Sequence, residues 1–221
     1  MKRKRSDPET GNKPKYDIVE SAAGWVGIEV TGKGVKRVTL PIKKHEDVLA
    51  EFGIEQRDLT TGAGGAGLAD RLKHFFLGEP VVFKEGLDLT GTTEFQQDVY
   101  EAACRIPFGE TKSYGELAKD IGKPGAARAV GQALGANPLP ILIPCHRVVA
   151  ADGGLGGFTG GVSAKKKLLE MEKSGKESRQ QTNRGSRIER DTTPSPSPPG
   201  TPPHTCPSIL PTPDCDNSYH R

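Results

Sequence analysis

Apolar and polar positions in the first third of the chain predict a β-hairpin and a helix. Residues 25–30 and 35–40 are rich in β-forming side chains, and the four residues between them include two glycines, as in a hairpin turn. Four apolar residues then recur at helical spacing: Leu68, Leu72, Phe75 and Phe76. The apolar triplet 81–83 predicts a further strand. We therefore expect a small α/β domain over 16–87.

A glycine-rich stretch precedes the predicted helix. Residues 62–67 (Gly-Ala-Gly-Gly-Ala-Gly) match the Gly-x-Gly-x-x-Gly pattern of dinucleotide-binding proteins. That pattern carries weight only where a strand leads directly into it, and none is evident here. We interpret the stretch as a loop.

The pattern over 88–174 is helical. Thr93 predicts the N-cap of one helix, and residues 113–116 (Ser-Tyr-Gly-Glu) form a capping box that begins a second. Residues 122–125 (Gly-Lys-Pro-Gly) end it, and a third helix over about 126–136 consists mainly of Ala and Gly. Two short helices joined by a tight turn indicate a helix-turn-helix, whose small recognition helix brings its backbone close to DNA. An αα-hairpin with an internally packed Ala/Gly face is the alternative.

The two ends of the chain differ from the middle. Nine of the 18 prolines lie in 191–221, mixed with Ser and Thr, so we expect a disordered tail over 175–221. Cys206 and Cys215 lie in this tail and are therefore not expected to be catalytic. The complete expectation is an α/β protein: a small α/β N-terminal domain, then a mostly helical helix-turn-helix C-terminal domain, then a disordered C-terminal tail.

The head of the chain, residues 1–15, is basic and is expected to be disordered. It carries six Lys or Arg against two acidic residues. Residues 2–5 (Lys-Arg-Lys-Arg) predict a nuclear-localisation or nucleic-acid-binding patch, with an ordinary solvated tail as the alternative. We expect a nuclear protein on this basis.

Composition excludes several classes of protein. The net charge is +3, the mean hydropathy is −0.54, and no apolar run approaches the roughly 18–20 residues of a membrane span. The four cysteines suggest neither a disulfide framework nor a zinc site. We expect a soluble intracellular protein that needs no metal or cofactor and does not associate with membranes.

One cysteine stands in a context that suits chemistry. The apolar segment 139–144 leads to Cys145 and His146, and Pro144 places the cysteine at a bend. A thiolate is nucleophilic when a nearby base or positive charge stabilises it. Adjacent side chains on an extended segment point in opposite directions, so His146 would need a turn or a bridging water to reach the thiol. Glu172 is the candidate that orients the imidazole. An inert buried cysteine beside a structural histidine is the alternative.

These residues resemble a known family. Residues 143–148 (Ile-Pro-Cys-His-Arg-Val) are similar to the active-site motif of the O6-alkylguanine-DNA alkyltransferases. Other matching segments are 126–131, Asn137-Pro138, Pro140 and the glycine-rich loop 153–161. The resemblance is close over about 92–173 and loose over 16–87. It implies a DNA repair protein that moves the alkyl group of O6-alkylguanine in duplex DNA, with O4-alkylthymine as a further candidate substrate, to Cys145. The base is flipped out first, and the protein, a monomer, is inactivated after one turnover.

The resemblance also assigns roles to residues. The catalytic set is Cys145, His146, Glu172 and Tyr114. The DNA- and base-binding set is Arg128, Asn137, Pro140, Val148, Gly156, Phe158, Thr159 and Gly160. In this scheme Arg128 fills the gap left by the flipped base, and Tyr114 presses on the phosphate and protonates the leaving guanine. Asn137 ties the recognition helix to the active-site turn, or is an αL residue at the helix end, or both.

The remaining assignments concern the pocket. The Thr159 N–H would meet the O6 atom, and the carbonyls of Cys145 and Val148 would accept from the exocyclic amine. Pro140 would offer its ring to a bulky alkyl group such as benzyl. Gly156 and Gly160 would leave room on the facing loop.

The sequence departs from the family pattern at a pocket-wall position and at a position where only packing is expected to change. Phe158 stands where tyrosine is usual, and Lys167 stands where tryptophan is common. Three alternatives remain: an alkyltransferase-like DNA-binding module without activity, a helix-turn-helix regulator and a cysteine hydrolase. The first class lacks the active cysteine. A regulator needs more base-reading side chains than Arg128 and Gln132, and adjacent Cys and His rarely converge as hydrolases require.

Overall fold

A three-stranded antiparallel sheet forms the base of the N-terminal region. The structure is a computed structural model, and it describes residues 13–65 and 67–185. Strands β1 (Lys15–Ser21), β2 (Gly24–Thr31) and β3 (Gly34–Val38) pair in sequence order. The predicted hairpin is confirmed as β2 and β3. Strand β1 was not predicted, and it begins inside the expected disordered head, because residues 15–21 pair along their whole length with β2.

Two helices pack on this sheet. Helix α1 spans His45–Phe52, a short 3₁₀ turn follows at Gln56–Asp58, and α2 spans Leu68–Phe76. The four apolar residues that predicted α2 are all buried. Burial of each such side chain contributes about 1.5–3 kcal/mol. The glycine-rich stretch forms turns and leads into α2 in its described residues, which agrees with the loop interpretation.

The strand predicted at 81–83 is wrong. The segment after α2 runs without regular pairing, although Phe83 is buried. The backbone groups at the edge of β3 instead form hydrogen bonds with later residues. The Val35 N–H donates to the Gly86 carbonyl at 2.9 Å, and the Asp88 N–H donates to the Val35 carbonyl at 2.8 Å. The apolar character of residues 81–83 thus reflects the burial of Phe83 in the core and not membership of a sheet.

The C-terminal region is helical, as predicted. Helix α3 spans Glu94–Cys104, α4 spans Tyr114–Asp120 and α5 spans Ala127–Gly135. The predicted capping box forms at Ser113 with Glu116, and the predicted N-cap Thr93 forms a second one with Gln96. Each box satisfies two backbone N–H groups that the first helical turn leaves unpaired. Helices α4 and α5 contact each other across a short turn.

A small parallel sheet connects α4 to the segment that carries the cysteine. Strand β4 (Lys112–Ser113) pairs with β5 (Val148–Val149), and a 3₁₀ turn at Cys145–Arg147 directly precedes β5. Because β4 ends where α4 begins, this pairing brings Tyr114 next to the residues that follow Cys145.

The last described helix corrects the predicted boundary of the tail. Helix α6 spans Val162–Gly185, so residues 175–185 are helical rather than disordered. Its packing explains the difference: a Cβ at Gly175 would lie 2.0 Å from the Gly78 carbonyl oxygen, so glycine permits a close crossing. Lys176, which lies just past the predicted start of the tail at residue 175, also forms an ion pair with Glu110 at 3.0 Å. The head residues 1–12, with the basic run, and residues 186–221, with Cys206 and Cys215, lie outside the described residues.

The core is continuous between the two regions. Buried side chains from the sheet, α2, α3, α4, α5 and the cysteine segment form one cluster. The Val38 N–H donates to the Pro138 carbonyl at 3.0 Å, and the Phe75 ring meets Phe108 and His146 edge-on at centroid distances of 6.3 and 6.1 Å. In residues 13–65 and 67–185, no helix is both long and apolar enough to cross a membrane.

Candidate active site

Cys145 lies at the start of a 3₁₀ turn and lines a cleft of about 590 Å³. Cys145 is buried, with 6% of its surface exposed. The preceding segment is buried, and it includes Ile141 in the left-handed region with φ of 78°. A β-branched residue costs energy in that region, so surrounding packing must hold this bend in place. The position of Cys145 is thus fixed by the buried segment that precedes it.

The neighbouring residues His146 and Arg147 converge on Glu172 of α6. His146 Nε2 lies 2.8 Å from Glu172 Oε1. Arg147 donates to the same carboxylate from Nε at 3.0 and 3.1 Å and from Nη2 at 2.9 Å, and its Nη1 donates to the Ile106 carbonyl at 2.7 Å. The Gly109 N–H completes the set at 2.9 Å from Oε2. The contact expected between His146 and Glu172 is present, whereas the role of Arg147 was not foreseen.

The electrostatics of this group define its protonation. Burial alone would raise the pKa of Glu172, but hydrogen bonds and charge from His146 and Arg147 lower its pKa to about 2. Burial lowers the pKa of His146 below its ordinary value. At neutral pH the carboxylate is therefore charged and the imidazole neutral. Nε2 then carries the imidazole proton toward Glu172, which leaves Nδ1 as a lone-pair acceptor. Nδ1 is buried and has no hydrogen-bond partner in the described part of the chain.

Asn137 joins the end of α5 to the active-site turn. Its Nδ2 donates to the Ile143 carbonyl at 3.0 Å, and its Oδ1 accepts from the Leu139 N–H at 2.9 Å. The tie that the resemblance implied is therefore present. The alternative of an αL residue is wrong, because the positive φ falls on Ile141 and not on Asn137. The side-chain amide satisfies the backbone here without that conformation.

The environment of the thiol contains opposing influences. Burial raises the pKa of Cys145, while a hydrogen bond from Asn137 and the charge of Lys165 lower it. The net direction is upward, so the resting group is a neutral thiol. A thiol in this state needs a base before it can act as a nucleophile.

Lys165 is a functional candidate that the sequence reasoning missed. It is 1% exposed, and its Nζ donates to the Val148 carbonyl at 2.5 Å and to the Tyr114 hydroxyl at 3.5 Å. Burial lowers the pKa of this lysine. The Val148 carbonyl, expected to accept from a guanine amine, thus already accepts from Lys165. The available signal was helical spacing, because Lys165, Leu168 and Glu172 share one buried face of α6.

Tyr114 occupies the space between α5 and the glycine-rich loop. Its ring lies 3.7 Å from a Cβ built on Gly131, and its hydroxyl lies 2.7 Å from a Cβ built on Gly156, where φ is 62°. A Cβ on Gly160 would lie 2.1 Å from Leu40 Cδ1. Gly156 therefore gives its space to Tyr114, which corrects the expectation of open room there, whereas Gly160, beside Leu40, still lines the cleft.

The structure brings together most of the predicted pocket residues. Those that line the cleft with Cys145 are Asn137, Pro140, Phe158, Thr159 and Gly160. Thr159 is held by its hydroxyl, which donates to the Gly135 carbonyl at 2.9 Å. Arg128 lies apart from the cleft, exposed near the start of α5. Within the described part of the chain, no three His, Cys, Asp or Glu side chains are placed to hold a metal ion.

Comparison with known proteins places this site in a family. Residues 94–174 match the family model described as 6-O-methylguanine DNA methyltransferase, DNA binding domain. The Methylated-DNA--protein-cysteine methyltransferase of Mycobacterium bovis is 55% identical to this chain over 109 residues. The match covers 49% of this chain and 66% of that protein, which is just under two thirds of the relative's length. The protein of the same name from Methanosarcina barkeri is 41% identical over 160 residues, 72% of this chain and 97% of that protein.

Solved structures agree with this comparison. The crystal structure of Mycobacterium tuberculosis OGT in complex with DNA matches with a TM-score of 0.60 and 41% identity, over 73% of this chain and 94% of that chain. The O6-methylguanine-DNA methyltransferase of Pyrococcus kodakaraensis matches with a TM-score of 0.54 and 26% identity, over 72% of this chain and 99% of that chain. Since nearly the whole length of such relatives is matched, the chain belongs to the methylated-DNA--protein-cysteine methyltransferase family of DNA repair proteins.

Proposed function

We propose that this protein transfers the alkyl group of O6-alkylguanine in duplex DNA to the sulfur of Cys145, once per molecule. The observation that carries the proposal is the arrangement of Cys145, His146 and Glu172: a buried neutral thiol in a cleft, beside an imidazole whose Nδ1 is an unused acceptor. A base of this kind is what a neutral thiol requires.

The proton of the thiol passes first to His146. Because Nε2 is committed to Glu172, Nδ1 takes the proton from Sγ through a bridging water, and the carboxylate stabilises the imidazolium that forms. The thiolate then attacks the alkyl carbon in line with the C–O6 bond. The S–C bond forms as the C–O6 bond breaks, and the electron pair leaves with guanine. The product thioether is stable, so Cys145 is not regenerated.

The leaving guanine receives a proton from Tyr114. Burial raises the pKa of this phenol, which alone makes it a weak acid. Lys165 compensates, because its ammonium group lies 3.5 Å from the hydroxyl and 5.6 Å from the ring centroid. A cation in that position stabilises negative charge that develops on the oxygen as the proton leaves. Lys165 also favours the thiolate of Cys145.

Helices α4 and α5 are proposed to bind the duplex as a helix-turn-helix. Apart from the exposed Arg128 and Gln132, the accessible residues of α5 are small, namely Ala127, Ala129, Gly131 and Gly135, so its backbone can approach a groove closely. A cysteine buried behind these helices cannot reach a base inside the duplex, so the target guanine must be flipped out. Arg128 then fills the gap in the stack. The similarity to Mycobacterium tuberculosis OGT, which has been crystallised in complex with DNA, supports DNA as the partner of this chain.

Intact-protein mass spectrometry tests the proposal. The full chain is incubated with a duplex that carries one O6-methylguanine, and a gain of one methyl group on the Cys145 peptide is expected. Cys145→Ala should gain nothing and still bind the duplex. Cys104→Ala is the matched control, since Cys104 is the other cysteine among the described residues, and it should be methylated like the parent. Binding without methylation of the parent would indicate a silent lesion-binding protein instead.

Two further properties belong to the proposal. We expect a monomer, because the buried apolar side chains of the described residues form one cluster within a single chain, and light scattering of the purified protein measures the oligomeric state. We expect nuclear accumulation on the basis of the Lys-Arg-Lys-Arg run at 2–5.

A further inference from the structure

The cleft that holds Cys145 extends between two walls of the protein. Its volume is about 590 Å³, and in the proposed function it holds the flipped base as well as its alkyl group. One wall comes from the segment after β3, the other from α6. The lining includes Arg37, Leu40, Lys43, Phe158, Lys167 and Leu168. The space thus continues from the thiol to Lys43 and Lys167, which have no role in the proposed transfer of a methyl group.

One face of α6 forms the second wall. Ser163, Ala164, Lys167, Leu168 and Met171 all line the cleft, with the spacing of a single helical face. Lys167 is exposed on that face. The neighbouring Lys166 does not line the cleft and pairs with Glu170 at 3.7 Å. The two adjacent lysines therefore have different surroundings.

Charge is distributed unevenly over the lining. The half-buried or buried part of the lining includes the apolar side chains of Leu40, Phe158 and Leu168. The outer lining carries Arg37, Lys43 and Lys167, and its one carboxylate, Glu51, pairs with Arg37. Neither lysine forms an ion pair with another described residue. The cleft thus combines a largely buried apolar lining with two exposed lysines, Lys43 and Lys167, that have no ion-pair partner among the described residues.

We propose that this cleft favours O6-alkyl substituents that end in a carboxylate, with Lys167, assisted by Lys43, as the specificity-determining residue. The inference rests on the proposed function, because the substituent must first be placed at Cys145. An apolar spacer matches the apolar lining, and a terminal anion matches the two exposed lysines. An exposed ion pair is worth at most about 1 kcal/mol, which is about a fivefold effect on rate.

The experiment compares three duplexes in single-turnover alkyl transfer: O6-methylguanine, O6-carboxypropylguanine and O6-carbamoylpropylguanine. The last two have nearly the same shape and differ in charge. The parent protein is expected to react about fivefold faster with the carboxylate than with the amide, and added salt should reduce this preference. Lys167→Met, which keeps the apolar stem, should bring the carboxylate rate down to that of the amide. Lys43→Met should lower it partly, and Lys166→Met should leave all three rates unchanged.

Other results would overturn the inference. Equal rates for carboxylate and amide in the parent protein would show that the charges of Lys43 and Lys167 do not reach the substituent. An equal loss for all three duplexes in Lys167→Met, methyl included, would assign this lysine to DNA phosphates. Failure of every duplex to alkylate Cys145 would reject the proposed function itself, which is a distinct outcome.

Discussion

Replacing Glu172 with Gln is expected to lower the free energy of unfolding by about 3 kcal/mol at neutral pH. The carboxylate is fully buried and accepts hydrogen bonds from His146, Arg147 and the Gly109 backbone. Its pKa is about 2 in the folded protein against an ordinary value of 4.5. Since a difference of one pH unit in pKa is worth about 1.4 kcal/mol, the interval corresponds to about 3 kcal/mol. The amide also leaves Arg147 as a buried cation without a counter-charge.

The same pKa fixes the sign of the pH dependence. A depressed carboxyl pKa stabilises the fold above pH 4.5, and this stability is lost as the pH falls toward about 2. The difference between parent and Glu172→Gln should therefore be full at pH 7 and shrink progressively below pH 5. His146, whose pKa burial lowers, makes both proteins less stable below its ordinary value of 6.5.

Urea unfolding, followed by tryptophan fluorescence at a series of pH values, measures this effect. Glu170→Gln is the matched control, because its carboxylate is exposed on the same helix and pairs only with Lys166 at 3.7 Å among the described residues. That change should stay within about 0.5 kcal/mol of the parent. The reasoning is refuted if Glu172→Gln has the same midpoint as the control, or if its deficit persists unchanged at low pH.

Three further predictions concern other parts of the molecule. Gly175→Ala should lower the free energy of unfolding in urea by about 1–3 kcal/mol, because the new Cβ would overlap the Gly78 carbonyl. Gly135→Ala is the control, since nothing lies within 4 Å of its new Cβ, and it should show no such loss. Arg128→Ala should slow alkyl transfer from duplex DNA far more than reaction with free O6-benzylguanine, since a free base need not be held out of a stack; equal losses would assign Arg128 to the fold. Deleting residues 2–5 should reduce nuclear accumulation of a fluorescent fusion, and an unchanged distribution would leave that run as solvated charge.

Local sequence determined most of the secondary structure and indicated Cys145 as the candidate nucleophile. The capping boxes at Thr93 and Ser113 and the helical spacing of α2 depend on residues within a few positions of one another, so they can be read from the chain directly. The residues around Cys145 likewise lie together in the sequence. Local reasoning failed where the pattern was ambiguous. It predicted a strand at 81–83, whereas the backbone of β3 forms its hydrogen bonds with Gly86 and Asp88.

Tertiary structure alone decided how the site is charged. The meeting of Arg147 with Glu172 joins residues 25 positions apart, and no local pattern specifies that the guanidinium and the imidazole share one carboxylate. The burial of Lys165 against Val148 and Tyr114 also depends on how α6 packs. The extension of α6 past Gly175 depends on the close crossing at Gly78. Periodicity specifies which face of an element is apolar, but the partner of a polar group on that face is set by where the other elements lie, because hydrogen bonds and charges act over a few ångströms of space and not along the chain.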